Sequence, residues 1–126
     1  MKILSELEPL FPIRMDPDLM RQVFSNILEN AIKYAPEQTQ ISVKTYEKEG
    51  FVVFVIADQG PGIPAQELPH LFTKFYRSAN AKSSPIKGSG LGLYLAKYFT
   101  ELHQGQIFVE SSPSQGTVFI VQLPQL

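Results

Sequence analysis

The chain has no cysteine, which excludes disulfides, thiolate metal sites and cysteine nucleophiles. It has no long apolar run either. The longest, Phe51 to Ala57, falls far short of the ~20 residues that span a bilayer, so no transmembrane helix is expected. Neither sign of charge is in excess: 11 Lys and Arg against 12 Asp and Glu leave a net charge of −1. That argues against general nucleic-acid binding, which favours a strong basic excess. The opening Met1-Lys2-Ile3-Leu4-Ser5-Glu6 meets an acidic residue too early for a signal peptide. Repeats, low-complexity tracts, a G-x-x-x-x-G-K-[ST] phosphate loop and a G-x-S-x-G nucleophile elbow are all absent. The two histidines, His70 and His103, sit too far apart for a simple metal motif. His103, ending a helix, is expected to complement the helix dipole. What remains is 126 residues, 44% hydrophobic and 18% charged, the composition of a globular domain and not of a disordered chain. A single domain over 1–126 is expected, with residues 1–12 a partial linker or cut edge.

Asp16 is a good helix N-cap, and Pro17 suits the first helical position. Met20, Val23, Phe24, Ile27, Leu28 and Ala31 then recur at helical spacing, and Pro36 stops the helix, predicting one over about 17–35. Ile41, Val43 and Thr45 alternate as in a half-buried strand. Phe51 to Ala57 is apolar throughout and suits a central strand covered on both faces. Residues 65–71 are expected to form a short helix. Residues 78–89 are the longest unstructured stretch, of a length that is usually functional or mobile. A second helix over about 90–103 presents Leu91, Tyr94, Leu95, Tyr98, Phe99 and Leu102 as its apolar stripe. Strands at Ile107–Glu110 and Thr117–Leu123 form a closing hairpin, and Ile13-Arg14-Met15 reads as a short strand. The expected fold is α+β, a two-layer α/β sandwich with helices on one face of a sheet.

Three features point to a ligand. Six of the eight glycines fall in three short segments: Gly60 and Gly62, then Gly88, Gly90 and Gly92, then Gly116. Gly88-Ser89-Gly90-Leu91-Gly92 opens a helix, which makes it either a phosphate cradle of free amides or a loop with a tight helix–sheet contact. It is not the Rossmann fingerprint, because a polar loop precedes it and Leu93 takes the third glycine's place. Second, Asn26, Asn30 and Lys33 fall within a ~60° arc at ~100° per residue, beside the apolar stripe of the first helix. They either line a polar cavity suited to Mg²⁺ and phosphate, or face solvent, with Glu29 and Lys33 pairing. Third, Asp58 follows the buried strand and precedes Gly60-Pro61-Gly62, where it either accepts from a base's amino group or caps its own turn.

As an ordered set these segments resemble the catalytic ATP-binding domain of sensor histidine kinases, in the GHKL ATPase superfamily. Asn26-Ile27-Leu28-Glu29-Asn30-Ala31-Ile32-Lys33-Tyr34 resembles the N box, and Asp58-Gln59-Gly60-Pro61-Gly62-Ile63 the first glycine box. Phe72-Thr73-Lys74-Phe75-Tyr76-Arg77 is similar to the F box, and Gly88-Ser89-Gly90-Leu91-Gly92-Leu93 to the second glycine box. His103-Gln104-Gly105-Gln106-Ile107 and Gly116-Thr117-Val118-Phe119 match the closing strands, with His103 in a structural place.

The resemblance implies the Bergerat fold: a mixed sheet of about five strands with about three helices on one face. The family's additional strand before Asp16 is matched poorly by residues 1–12, so that edge is expected to be missing or rebuilt. ATP and Mg²⁺ are the implied cofactors. Asp58 would accept from the adenine amino group, with Thr117 assisting directly or through water, among Gly60, Gly62 and Ile63. Tyr34 would pack near the base. Asn30 would bind Mg²⁺, with Asn26 supporting it, and Lys33 and Arg77 would meet phosphate. The amides of Gly88, Ser89, Gly90, Leu91 and Gly92 would cradle phosphates. Residues 74–89 would form a lid anchored by Phe72 and Phe75. No catalytic histidine is expected here: the γ-phosphoryl group would pass to a histidine on a separate dimerisation domain, of the same or another chain, with a response regulator downstream. A monomeric cytoplasmic domain without direct membrane or nucleic-acid contact follows, whether or not a parent kinase is membrane-anchored. The alternative is a nucleotide-sensing module that transfers nothing. An anti-sigma or serine-kinase relative fits the F box less well.

Overall fold

A computed structural model describes residues 2–7, 15–34, 39–74, 91–111 and 114–125, with the backbone alone at 2–7, 33 and 34. Five strands and two α-helices are described: β1 (Lys2–Leu7), α1 (Pro17–Tyr34), β2 (Gln40–Lys48), β3 (Phe51–Ala57), α2 (Gly92–Leu102), β4 (Gln106–Ser111) and β5 (Thr117–Pro124). One sheet holds all five strands in the order β1-β2-β3-β5-β4. β1 runs parallel to β2, and every other neighbour is antiparallel. The mixed sheet and the two-layer arrangement are as expected. No helix among the described residues is long and apolar enough to cross a membrane.

α1 starts where its sequence dictates. The Asp16 carboxylate accepts from the N–H groups of Asp18 and Leu19 at 2.9 and 3.1 Å, two of the donors that a helix start leaves unpaired. Met20, Val23, Ile27 and Ala31 form its buried stripe. They pack on one face of the sheet. Across that face run Val43, Ile56, Phe119 and Val109 in one row, then Thr45, Phe54, Val121 and Ile107 in the next. Phe24 meets Phe54 with ring centroids 4.8 Å apart.

Four expectations are corrected. Residues 2–7, within the 1–12 expected as a partial linker or cut edge with that side of the sheet missing or rebuilt, form β1, which continues the sheet beyond β2. Of the strand expected at Ile13-Arg14-Met15, the first two residues lie outside the described residues, and Met15 is not in a strand. The short helix expected at 65–71 is a single 3-10 turn, Leu68–His70. β3 is central, as expected, but the described helices cover one face only. On the other face Phe51 and Val55 are half-buried and Val53 is buried, while Phe108, across β5 on β4, is 43% exposed.

The stripe of α2 is also rotated from the expected one. Its core side is Leu93, Ala96, Phe99 and Thr100, while Tyr98 and Leu102 are 49% and 57% exposed. Small residues let α2 lie close to the core. The buried Thr100 hydroxyl is satisfied by donating to the Ala96 carbonyl at 2.7 Å. Tyr94 and Tyr98 instead stack on each other, centroids 6.3 Å apart.

Candidate functional site

The site forms where β3 ends beside the start of β5. Ala57 pairs with Val118, and the ladder continues one step as the Asp58 N–H donates to the Thr117 carbonyl at 2.9 Å. Asp58 therefore continues the helix-facing row of Ile56, opposite Thr117. Its Oδ1 accepts from the Gly60 N–H at 2.8 Å and the Thr117 N–H at 3.2 Å. Both bonds fall on Oδ1, so among the described residues Oδ2 accepts none. The capping reading of Asp58 and the ligand reading are thus compatible, because each uses a different oxygen. Burial pushes the Asp58 carboxyl above the usual carboxylate range, against the pull of the Gly60 and Thr117 hydrogen bonds.

The loop after Asp58 is held from several sides. The Gln40 N–H donates to the Gln59 side-chain oxygen at 2.9 Å, and the Ser114 N–H donates to the Pro61 carbonyl at 2.8 Å. The Ile63 N–H donates to Ser111 Oγ at 2.9 Å. Gly60 and Gly62 are buried, and Ile63 is half-buried. Gly116 has φ +79°, and a Cβ there would fall on the Asp58 carbonyl, so only glycine fits between the two strands.

The other half of the site lies between the helices. A Cβ on Gly92, the first residue of α2, would lie 3.8 Å from Cβ, Cγ and Oδ1 of Asn26. The second glycine segment and the first-helix asparagines are therefore neighbours. Asn30, one turn on, is half-buried. Leu91 stands at the N-cap of α2, where its side chain offers no capping bond.

The Lys33 and Tyr34 backbone lies in the last turn of α1. Arg77, Gly88, Ser89 and Gly90, with all of the lid except Lys74, lie outside the described residues. Phe72 packs edge-on to Phe119 with centroids 6.2 Å apart, and the Lys97 ammonium lies 5.7 Å from its centroid. Phe75 is outside the described residues. His103 does not approach the site. Its Nε2 accepts from the Asp16 N–H at 2.8 Å and its Nδ1 donates to the Phe99 carbonyl at 2.7 Å. With one hydrogen bond at each ring nitrogen, His103 ties the end of α2 to the start of α1. Ser111 was not legible as a site residue. It sits in Ser111-Ser112-Pro113-Ser114, which reads as turn composition, and only its pairing with Thr117 across the hairpin marks it.

Among the described residues no three His, Cys, Asp or Glu side chains come together to hold a metal. The half-buried amide of Asn30 is a hard oxygen donor on its own. That fits an ion such as Mg²⁺, which takes one or two protein oxygens and its other ligands from phosphates and water.

This geometry is that of a nucleotide-binding ATPase fold. Residues 15–126 match the family model of histidine kinase-, DNA gyrase B- and HSP90-like ATPases, and the chain belongs to that family. Within it, the chain is a histidine kinase ATPase domain homologous to sensor kinase catalytic domains. It is 37% identical over 118 residues to the sensor protein KdpD of Clostridium acetobutylicum, covering 94% of this chain and 13% of that protein. It is 35% identical over 114 residues to the sensor histidine kinase WalK of Bacillus subtilis, covering 89% of this chain and 19% of that one. Among solved structures, the mycobacterial sensor histidine kinase MprB superposes with a TM-score of 0.89 at 32% identity, over 98% of this chain and 82% of that one. The full-length ShkA complex with AMPPNP superposes at 0.84 with 26% identity, over 98% of this chain and 25% of that one. The chain spans between 13% and 24% of the length of the curated relatives it matches. These relatives do not favour a sensing module without transfer.

Proposed function

We propose that this domain binds ATP with Mg²⁺ and presents the γ-phosphoryl group to a histidine on a separate dimerisation domain. The observation that carries this reading is Asp58: a half-buried carboxylate with Oδ1 fixed by two backbone donors and, among the described residues, Oδ2 left to accept. An exocyclic amino group of a purine is the complementary donor. Thr117 stands beside that carboxylate, and Gly60, Gly62 and Ile63 wall the base. Tyr34 packs near it.

The triphosphate runs from there toward the gap between α1 and α2. Asn30 offers its amide oxygen to Mg²⁺, with Asn26 behind it against Gly92. The cation would neutralise phosphate charge. The amides of 88–92, which lead in sequence into α2, would favour anions through the helix dipole, and Lys33 and Arg77 would add positive charge. Little covalent chemistry falls to these residues, because phosphoryl transfer rests on positioning and electrostatics. The acceptor imidazole nitrogen bonds to the γ-phosphorus as the bond to the bridging oxygen breaks, and ADP leaves. Residues 74–89 act as the lid. The domain works in the cytoplasm as a monomer, with a response regulator downstream.

Calorimetric titration with AMPPNP, with and without Mg²⁺, tests the reading. Saturable Mg²⁺-dependent binding by the native chain, lost in Asp58→Asn, is the expected result. A folded native chain that binds no nucleotide would overturn it. Incubation with ATP and a cognate dimerisation domain is then expected to yield phosphohistidine.

A further inference from the structure

Ser111 ends β4 opposite Thr117, the first residue of β5. Its Oγ lies 2.9 Å from the Ile63 nitrogen, 2.8 Å from the Gly116 carbonyl oxygen and 2.9 Å from Thr117 Oγ1. A serine hydroxyl has one proton and two lone pairs. The Ile63 N–H can only donate, so it occupies one lone pair. The Gly116 carbonyl can only accept, so the Ser111 proton goes there. One lone pair remains, and the contact with Thr117 must use it. The Thr117 hydroxyl is therefore the donor in that pair. With its single proton committed to Ser111, it meets any ligand only as an acceptor. The Asp58 carboxylate alongside is likewise acceptor-only when ionised.

We infer that Ser111 is a positioning residue that holds the Thr117 hydroxyl as an obligate acceptor, so that this end of the site selects a purine bearing an amino group over one bearing a carbonyl. The inference rests on the nucleotide-binding reading above. An amino group at the purine 6-position brings two N–H donors to two acceptors. A 6-oxo group brings only lone pairs, and a buried polar group left unpaired costs more than a hydrogen bond gains.

The test is the affinity for adenosine triphosphate against inosine triphosphate, both with Mg²⁺, in four chains. The native chain is expected to prefer the adenosine form. Ser111→Ala frees the Thr117 proton to turn toward a 6-oxo group, and is expected to narrow that preference about fivefold. Ser111→Thr, which keeps a hydroxyl and suits a strand end, is expected to restore it. Thr117→Val removes the acceptor itself and is expected to narrow the preference as well, so it carries the test if Ser111→Ala fails to fold. Equal weakening of both nucleotides in Ser111→Ala, with the ratio unchanged, would reduce Ser111 to a brace and overturn the proposal. An unchanged ratio in Thr117→Val would do the same. A native chain that binds both nucleotides equally would overturn this proposal and leave the ATP reading standing. One that binds neither would overturn the ATP reading, and this proposal with it.

Discussion

Asp58 sets two opposite dependences on pH. Its burial holds the carboxyl above the ordinary carboxylate range, and binding an amino group needs the ionised form. Affinity for ATP is therefore expected to fall as pH is lowered through that raised value, which a titration series from pH 8 down to 4 would follow. Folding stability carries the other sign. The native state holds this proton more tightly than the unfolded chain does. The stability contributed by Asp58 is thus fully present below the ordinary carboxylate pKa and lost as pH rises through the raised one. Asp58→Asn removes the half-buried charge and keeps an oxygen for the Gly60 and Thr117 amides. Its Tm is expected to exceed that of the native chain at neutral pH, with the gap closing toward acid. A gap that stays constant across that range would show that the charge of Asp58 is not the cause.

At the level of elements, two joints hold the site's supports in place. His103 ties the end of α2 to the start of α1 through one bond at each ring nitrogen. His103→Ala is expected to cost about 1–2 kcal/mol in denaturant unfolding, the worth of two net hydrogen bonds. It should leave nucleotide affinity little changed, since the ring stands at the end of α2 opposite Gly92. Gly116 is the other joint. Gly116→Ala must hold a side chain at φ +79° against the Asp58 carbonyl. A loss on the order of 3 kcal/mol is expected from that strain, together with loss of binding as the strand ends part. Much of this scale was legible in sequence. The boundaries of α1 and β3 follow from Asp16-Pro17 and from the apolar run, because capping and burial act locally there. The face of α2 was not legible. Bulky apolar residues draw the expected stripe toward Tyr98 and Leu102, whereas the actual contact runs through the small Ala96 and Thr100. β1 was missed because a parallel edge strand is specified by its partner at Gln40 to Thr45 and not by its own alternation.

For the whole molecule, ligand and fold are linked. A ligand that binds only the folded chain stabilises it by about 2.7 kcal/mol at a hundred times its dissociation constant. Thermal unfolding with saturating AMPPNP and Mg²⁺ is expected to show a clear rise in Tm, absent in Asp58→Asn. No rise in the native chain would contradict the proposed site. The parts of the site that could be read from sequence are those built from local chemistry: the acid at the end of β3, the glycine turn, and two asparagines one helical turn apart. The contact of Asn26 with Gly92 and the Ser111 hub depend on how distant segments meet, and no local pattern announces either.

The hydrogen bond between the Thr117 amide and the Asp58 carboxylate joins residues separated by 59 positions in the chain. During synthesis at roughly 5–20 residues per second, Asp58 is made some 3–12 seconds before its partner. Throughout that interval its carboxylate lacks the Thr117 amide. The base-binding end is thus completed among the last parts of the domain, and a nascent chain acquires its nucleotide specificity only as the C-terminal hairpin docks.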